Sequence, residues 1–149
     1  MRIVSKESLI PGKTSKMVLE APEIATHARP GHFVMLRMTP NGERIPLTIA
    51  DTDPERGLIT IVYLVVGKSS AVLESLNEGD DILDVCGPLG HATDIRKVGT
   101  VICVGGGTGI AAMHHIAKGA SSCRQPRRRY HWRKEQGPAA LRERAEGFR

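Results

Sequence analysis

The stretch Val101–Ala112, VICVGGGTGIAA, joins an apolar run to a glycine-rich turn and a second apolar segment. Val101–Val104 reads as a strand buried on both faces, the pattern of a parallel sheet. Gly105, Gly106, Gly107 and Gly109 then allow a tight turn, in which backbone can approach a ligand with no Cβ in the way. Ile110–Ala117 continues as a small apolar helix, whose first N–H groups would face a pyrophosphate. The spacing Gly107-x-Gly109-x-x-Ala112 matches the dinucleotide fingerprint, with alanine as third small residue. This is how a nucleotide-binding domain opens, and a chain of 149 residues leaves little room to finish it.

Outward from that stretch, length allows one domain, or one small domain and part of another. No run approaches the ~18 apolar residues of a membrane helix, and the N-terminus lacks the apolar core of a signal peptide. Cys86, Cys103 and Cys123 are widely separated and lack metal-ligand spacing. A reducing, cytoplasmic setting with no metal site and no membrane contact is the expectation. The net charge of +5 belongs to the tail: residues 121–149 hold eight Arg and one Lys against three Glu. Residues 1–120 are nearly balanced.

Residues 1–98 read as short strands punctuated by turns. The candidates are Arg2–Glu7, Ser15–Glu20, His32–Met38, Ile45–Ala50, Leu58–Val65 and Asp81–Cys86. Pro11-Gly12, Pro30-Gly31, Asn41-Gly42, Asp53-Pro54 and Glu78-Gly79 separate them. Ser69–Leu76 suits a short capped helix. Gly87-Pro88-Leu89-Gly90 is read as the end of the β-region. The expected fold is mainly β: a six-stranded antiparallel barrel over 1–98, followed over 99–120 by the first strand and helix of an incomplete α/β nucleotide-binding domain. Residues 121–149 form an aberrant basic tail, and everything after about Val98 is expected to pack poorly, for want of neighbouring strands.

From about Arg2 to Gly119 the chain resembles the ferredoxin–NADP reductase superfamily. The branch holds the electron-transfer subunit of dihydroorotate dehydrogenase and the flavin subunit of NADH-dependent ferredoxin–NADP reductase, also called sulfide dehydrogenase. Three segments carry the likeness in order: Arg29–Val34, then Glu43–Ala50 (ERIPLTIA), then Gly87–Gly90 with the later GGGTGIA. The resemblance implies FAD on the barrel. Arg44 would support its diphosphate, and Pro46, Leu47 and Thr48 would line the flavin, with the Thr48 hydroxyl near N5. The usual spacing puts two residues between that Arg and the hydroxyl; here three intervene. Tyr63, Leu64 and Val65, followed by Gly67, Ser69 and Ser70, resemble the second flavin segment. Ser69 and Ser70 at a helix start offer hydroxyls and free N–H groups to a diphosphate. Gly105, Gly106, Gly107, Thr108, Gly109 and Ile110 resemble the family's NAD(P)H loop.

The implied activity is electron transfer between NAD(P)H, FAD and an iron–sulfur partner, beside a catalytic partner subunit and ferredoxin or another iron–sulfur protein. The cofactors would do the chemistry, so no catalytic acid or base is nominated. Relatives carry a 2Fe–2S centre on clustered cysteines, and no such cluster follows Gly119. The residue that would read the ribose lies inside the anomalous tail. That tail, with Arg127-Arg128-Arg129 and Trp132, has the composition of a GC-rich gene read out of frame. A one-base shift from Cys123 permits an apolar strand, a turn and an amphipathic helix, so a frameshifted and impaired end is expected.

Plainer readings stand beside these. Thr48 is also an ordinary strand residue, Arg44 a solvated charge, and the serine pair a helix cap. His114 and His115 are adjacent and do not share a helix face, which favours a structural or solvent role over a metal site. The alternative functions are a non-catalytic FAD-binding fragment and a basic-tail module binding nucleic acid.

Overall fold

The computed structural model describes residues 1–97, 99 and 101–122. The expectations for the tail from Cys123 onward, including its altered frame, lie outside the described residues. Six strands form one antiparallel sheet: β1 (Ile3–Ile10), β2 (Thr14–Glu20), β3 (Phe33–Arg37), β4 (Ile45–Asp53), β5 (Leu58–Leu64) and β6 (Asp84–Leu89). Their order across the sheet is β1-β2-β5-β4-β3-β6. Strands β1 and β2 meet at the Pro11-Gly12 turn, where Gly12 takes φ +67°, a conformation that costs glycine least.

Alternation turns this sequence into a curled sheet. Met17 and Leu19 of β2, Val34 and Leu36 of β3, and Ile59, Ile61 and Tyr63 of β5 all point inward and are buried. Each aliphatic side chain so buried is worth about 1.5–3 kcal/mol. Ile49, Leu73 and Ile82 complete the core. The two outer edges meet without a continuous ladder. Arg2 bridges Asp81, the Ile3 N–H donates to the Asp80 carbonyl at 2.9 Å, and the Gly79 N–H donates to the Ile3 carbonyl at 2.9 Å.

Among the described residues three helices accompany the sheet: α1 (Pro22–His27), α2 (Lys68–Ser75) and α3 (Gly109–Ser122). Helix α1 is absent from the sequence reading; its only strong signal is Pro22 at the first turn, followed by Glu23. It buries Ile24 and Ala25 against the core. Helix α2 starts one residue before the expected position.

Two expectations change. The last strand, expected over Asp81–Cys86, runs over Asp84–Leu89, so the GPLG segment that ends the β-region lies within and just beyond β6. A register shift between Phe33 and Met35 on β3 falls opposite Gly87-Pro88, and an edge strand at a bulge tolerates a proline without its N–H. Its glycines are set by packing: a Cβ at Gly87 would come within 2.6 Å of Val34 Cγ1, and one at Gly90 (φ +83°) within 3.0 Å of the Phe33 ring.

Val101–Val104 forms no strand; Ile102 and Val104 are 82% and 83% exposed. A parallel strand needs hydrogen-bonded neighbours, and the described residues provide none there. Helix α3 nevertheless docks on β4, with His115 and Ala120 buried, and Gly119 lies against Pro30 and Ile95. The expectation of poor packing after Val98 therefore fits residues 101–104 and not α3.

Candidate functional site

The backbone register assembles the site. Phe33 stands opposite Thr48 and Met35 opposite Pro46; on the other side Met35 faces Cys86 and Arg37 faces Asp84. Directly opposed residues share a sheet face. The outer face of β4-β3-β6 therefore carries Thr48 and Pro46, then Phe33, Met35 and Arg37, then Cys86 and Asp84. Pro46 and Thr48 are exposed, and Leu47 between them is half-buried. Arg44, immediately before β4, lies about 13 Å from Thr48 at the rise of a strand.

Charge gathers at the Arg44 end. Arg44 Nη2 donates to Asp84 Oδ2 at 2.9 Å. Arg37 reaches the same oxygen at 3.5 Å and the Pro40 carbonyl at 3.5 Å. Arg37 Nε is buried and has no partner among the described residues. The start of α2 adjoins this end, because the Ser69 hydroxyl donates to Glu43 Oε2 at 3.1 Å. Glu43, next to Arg44, thus sets the start of the 44–48 segment beside Ser69, at the far end of the segment nominated over 63–70.

The helix start has a division of labour. Ser70 Oγ accepts the Val66 and Gly67 N–H groups at 3.0 Å each and donates to the Gly67 carbonyl. It is buried and committed to holding the turn. Gly67 is the N-cap, at φ −155°, and α2 has no acidic residue in its first turn. Space around Gly67 is open to 4 Å, so the backbone at the helix start is reachable.

The structure separates Tyr63 from the strip. Its ring is 1% exposed, turned into the core, and its hydroxyl donates to Glu74 Oε2 at 2.8 Å. Burial, then the bonded Glu74 carboxylate, push the phenol well above its usual pKa. Leu64 is exposed and Val65 half-buried.

At the other end, Gly105, Thr108 and Ile110 are half-buried, while Gly106, Gly107 and Gly109 are exposed. The turn closes by hydrogen bonds from Gly109 N to Gly106 O at 3.1 Å and from Ile110 N to Gly107 O at 3.3 Å. Helix α3, which it starts, is pinned to β4. A carbonyl only accepts, so His115 Nδ1 carries the proton it donates to Ile49 O at 3.1 Å. Lys118 Nζ lies 2.6 Å from Asp51 Oδ1. The β4–β5 register shifts between Ile49 and Asp51, which bends the strand where the helix attaches. Burial chiefly lowers the His115 pKa, partly offset by the Ile49 bond and Asp51.

Sequence reasoning missed Phe33, Met35, Arg37, Asp84 and Cys86. The Phe33–Arg37 alternation signals an outward set, but cross-strand register alone places it beside Pro46 and Thr48. A concavity of about 440 Å³, lined by Val18, Arg56, Thr60 and others, lies elsewhere and contains none of the nominated residues. Among the described residues no cluster of three or more His, Cys, Asp or Glu is arranged to hold a metal ion, and no helix is long and apolar enough to cross a membrane.

No family model matches the chain. Over 100 residues it is 52% identical to a Thermotoga maritima homologue of the dihydroorotate dehydrogenase B electron-transfer subunit, covering 67% of this chain and 36% of that protein. The electron-transfer subunit of that enzyme from Fusobacterium nucleatum is 32% identical over 111 residues, 70% of this chain and 42% of its own length. The structure of an NADH-dependent reduced ferredoxin–NADP oxidoreductase, described for flavin-based electron bifurcation, superposes with TM-score 0.81 at 44% identity; the match covers 83% of this chain and 45% of that one. An Amycolatopsis cytochrome P450 reductase shares the fold alone, at TM-score 0.67 and 22% identity. The chain spans less than half the length of each of these relatives.

Proposed function

Because this chain belongs to the ferredoxin–NADP reductase superfamily, we propose that it is a flavin-dependent electron-transfer subunit, with FAD on the outer face of β4-β3-β6. The observation that carries the reading is the 44% identity at TM-score 0.81 to the NADH-dependent oxidoreductase. The chemistry of the residues fits the group. Thr48 offers a hydroxyl and Pro46, Phe33 and Met35 an apolar bed for a planar ring system. Arg44 and the first helical N–H groups of α2, at Lys68 and Ser69, offer donors for a diphosphate. The chemistry a bound flavin supplies is the exchange of an electron pair for single electrons.

The residues' work is to bind and orient. Thr48 holds a hydroxyl at the ring end of the strip, and Arg44 neutralises charge at the other. Gly105–Ile110, carried by α3, supplies the NAD(P)H approach on the Thr48 side. Glu43 must give up Ser69 for a diphosphate to use that hydroxyl. The description of relatives as electron-transfer subunits supports a catalytic partner subunit; ferredoxin or another iron–sulfur protein is the further electron-transfer partner of this reading.

The test is titration of the purified chain with FAD, followed by flavin fluorescence and visible absorbance, and then by NADH or NADPH. Saturable binding with bleaching of the flavin band by pyridine nucleotide is expected. Binding without bleaching would leave the non-catalytic FAD-binding alternative for this stretch of chain. Absence of FAD binding would refute the proposal.

A further inference from the structure

We propose that Arg37 on β3 is a second cation for the phosphate end of the ligand, acting with Arg44 on a diphosphate; this rests on the flavin reading above. Arg37 and Arg44 converge on one carboxylate, and they do not share it equally. Arg44 takes Asp84 Oδ2 at 2.9 Å, a full charge-assisted bond. Arg37 is left with two contacts at 3.5 Å, the outer limit of a hydrogen bond. A guanidinium carries five N–H donors in a fixed fork. Arg37 meets none of them at full strength, and its buried Nε meets no acceptor.

Such a cluster has surplus positive charge and too few acceptors. Its side chain is 28% exposed, so one edge of the fork is open on the outer face that also presents Pro46 and Thr48. Register leads it toward Arg44: the β3–β4 pairing runs Phe33–Thr48, Val34–Leu47, Met35–Pro46, Leu36–Ile45, and Arg37 and Arg44 are the residues that follow this last pair on the two chains. Two forks side by side at the end of an apolar strip match the paired phosphates of a dinucleotide. They also match inorganic pyrophosphate, which shares the chemistry. A rim charge merely solvating the sheet would sit fully in water and leave no buried donor unpaired.

The test titrates wild type, Arg37→Gln, Arg37→Lys and a control, Arg56→Gln, on an exposed turn far from the strip, with FAD, riboflavin and inorganic pyrophosphate. Circular dichroism and Tm establish folding of each. Arg37→Gln should weaken FAD and pyrophosphate about tenfold, from the loss of a charge-assisted contact, and leave riboflavin within about twofold. Arg37→Lys, which keeps charge but not the fork, should fall between, and it carries the test if the glutamine variant does not fold. FAD binding by wild type with equal affinity in the folded Arg37 variants overturns the role of Arg37 and leaves the flavin reading intact. Arg37-dependent pyrophosphate binding without FAD binding overturns the flavin reading and keeps the anion site. Binding of neither overturns both.

Discussion

Replacing Tyr63 by phenylalanine separates two roles that the sequence assigns to one residue. In the flavin reading Tyr63 lines the cofactor; in the structure its hydroxyl is an inward anchor. It donates at 2.8 Å to Glu74 Oε2, whose other oxygen accepts Ser15 Oγ at 3.1 Å and whose charge faces Lys6 Nζ at 3.5 Å. A hydrogen bond to a charged group contributes about 1.5–3 kcal/mol. Glu74 keeps Ser15 and Lys6 after the change, and its side chain is 27% exposed, so water can replace the lost donor. The cost therefore sits at or just below the bottom of that range, about 1–1.5 kcal/mol. Thermal unfolding of the variant should shift by about 2–6 °C. The FAD affinity and the visible flavin band should stay at wild-type values. A double-mutant cycle with Glu74→Gln should give a coupling of at least about 0.5 kcal/mol. An unchanged Tm together with an altered flavin band would refute the inward placement and return Tyr63 to the ligand.

The same cluster predicts a pH profile. Burial pushes the Glu74 pKa up, but the bonds from Tyr63 and Ser15 and the Lys6 charge outweigh it and leave it below 4.5. Its stabilisation is thus present above pH 4.5 and lost as pH falls through the lowered value. Tyr63, raised above 10.0, stabilises fully below pH 10 and loses this as pH climbs further; urea midpoints against pH should show both limbs, flattened in the Tyr63→Phe, Glu74→Gln double variant. His115→Ala should free α3, leaving the Ile49 carbonyl unpaired at a cost of about 1–3 kcal/mol, read as faster amide exchange in α3 with the sheet unchanged. Since the His115 pKa is lowered from 6.5 by burial, with Asp51, Lys118 and His114 modulating it, the wild-type docking should hold above pH 6.5 and weaken as pH falls below it. Ser70→Ala removes the acceptor of two backbone N–H groups and should cost about 1–2 kcal/mol, measured by chemical denaturation.

What could be read ahead of the structure was local. Met17 and Leu19, Val34 and Leu36, Ile59 and Ile61 alternate in the chain, and alternation alone assigns strands and inner faces. The glycine turn and the serine pair announced helix starts, since capping chemistry acts within a few residues. ERIPLTIA placed the flavin strand by resemblance. Helix α1 escaped because six residues with two buried side chains leave no periodic trace.

Tertiary contact decided the rest. Tyr63 follows the same alternation as Ile59 and Ile61, so its side chain belongs inside, yet only the position of Glu74 one helix later explains why a polar ring end is stable there. Val101–Val104 has the residues of a buried strand and is exposed at every second position, because a strand is completed by its neighbours' hydrogen bonds and not by its own sequence. Arg37 lies seven residues from Arg44 in the chain, and Asp84 forty beyond that; the register of three strands brings them to one carboxylate. Short-range signals determined the six strands of the sheet and helices α2 and α3, and the long-range pairing of backbone groups determined which side chains meet and which apolar runs become strands at all.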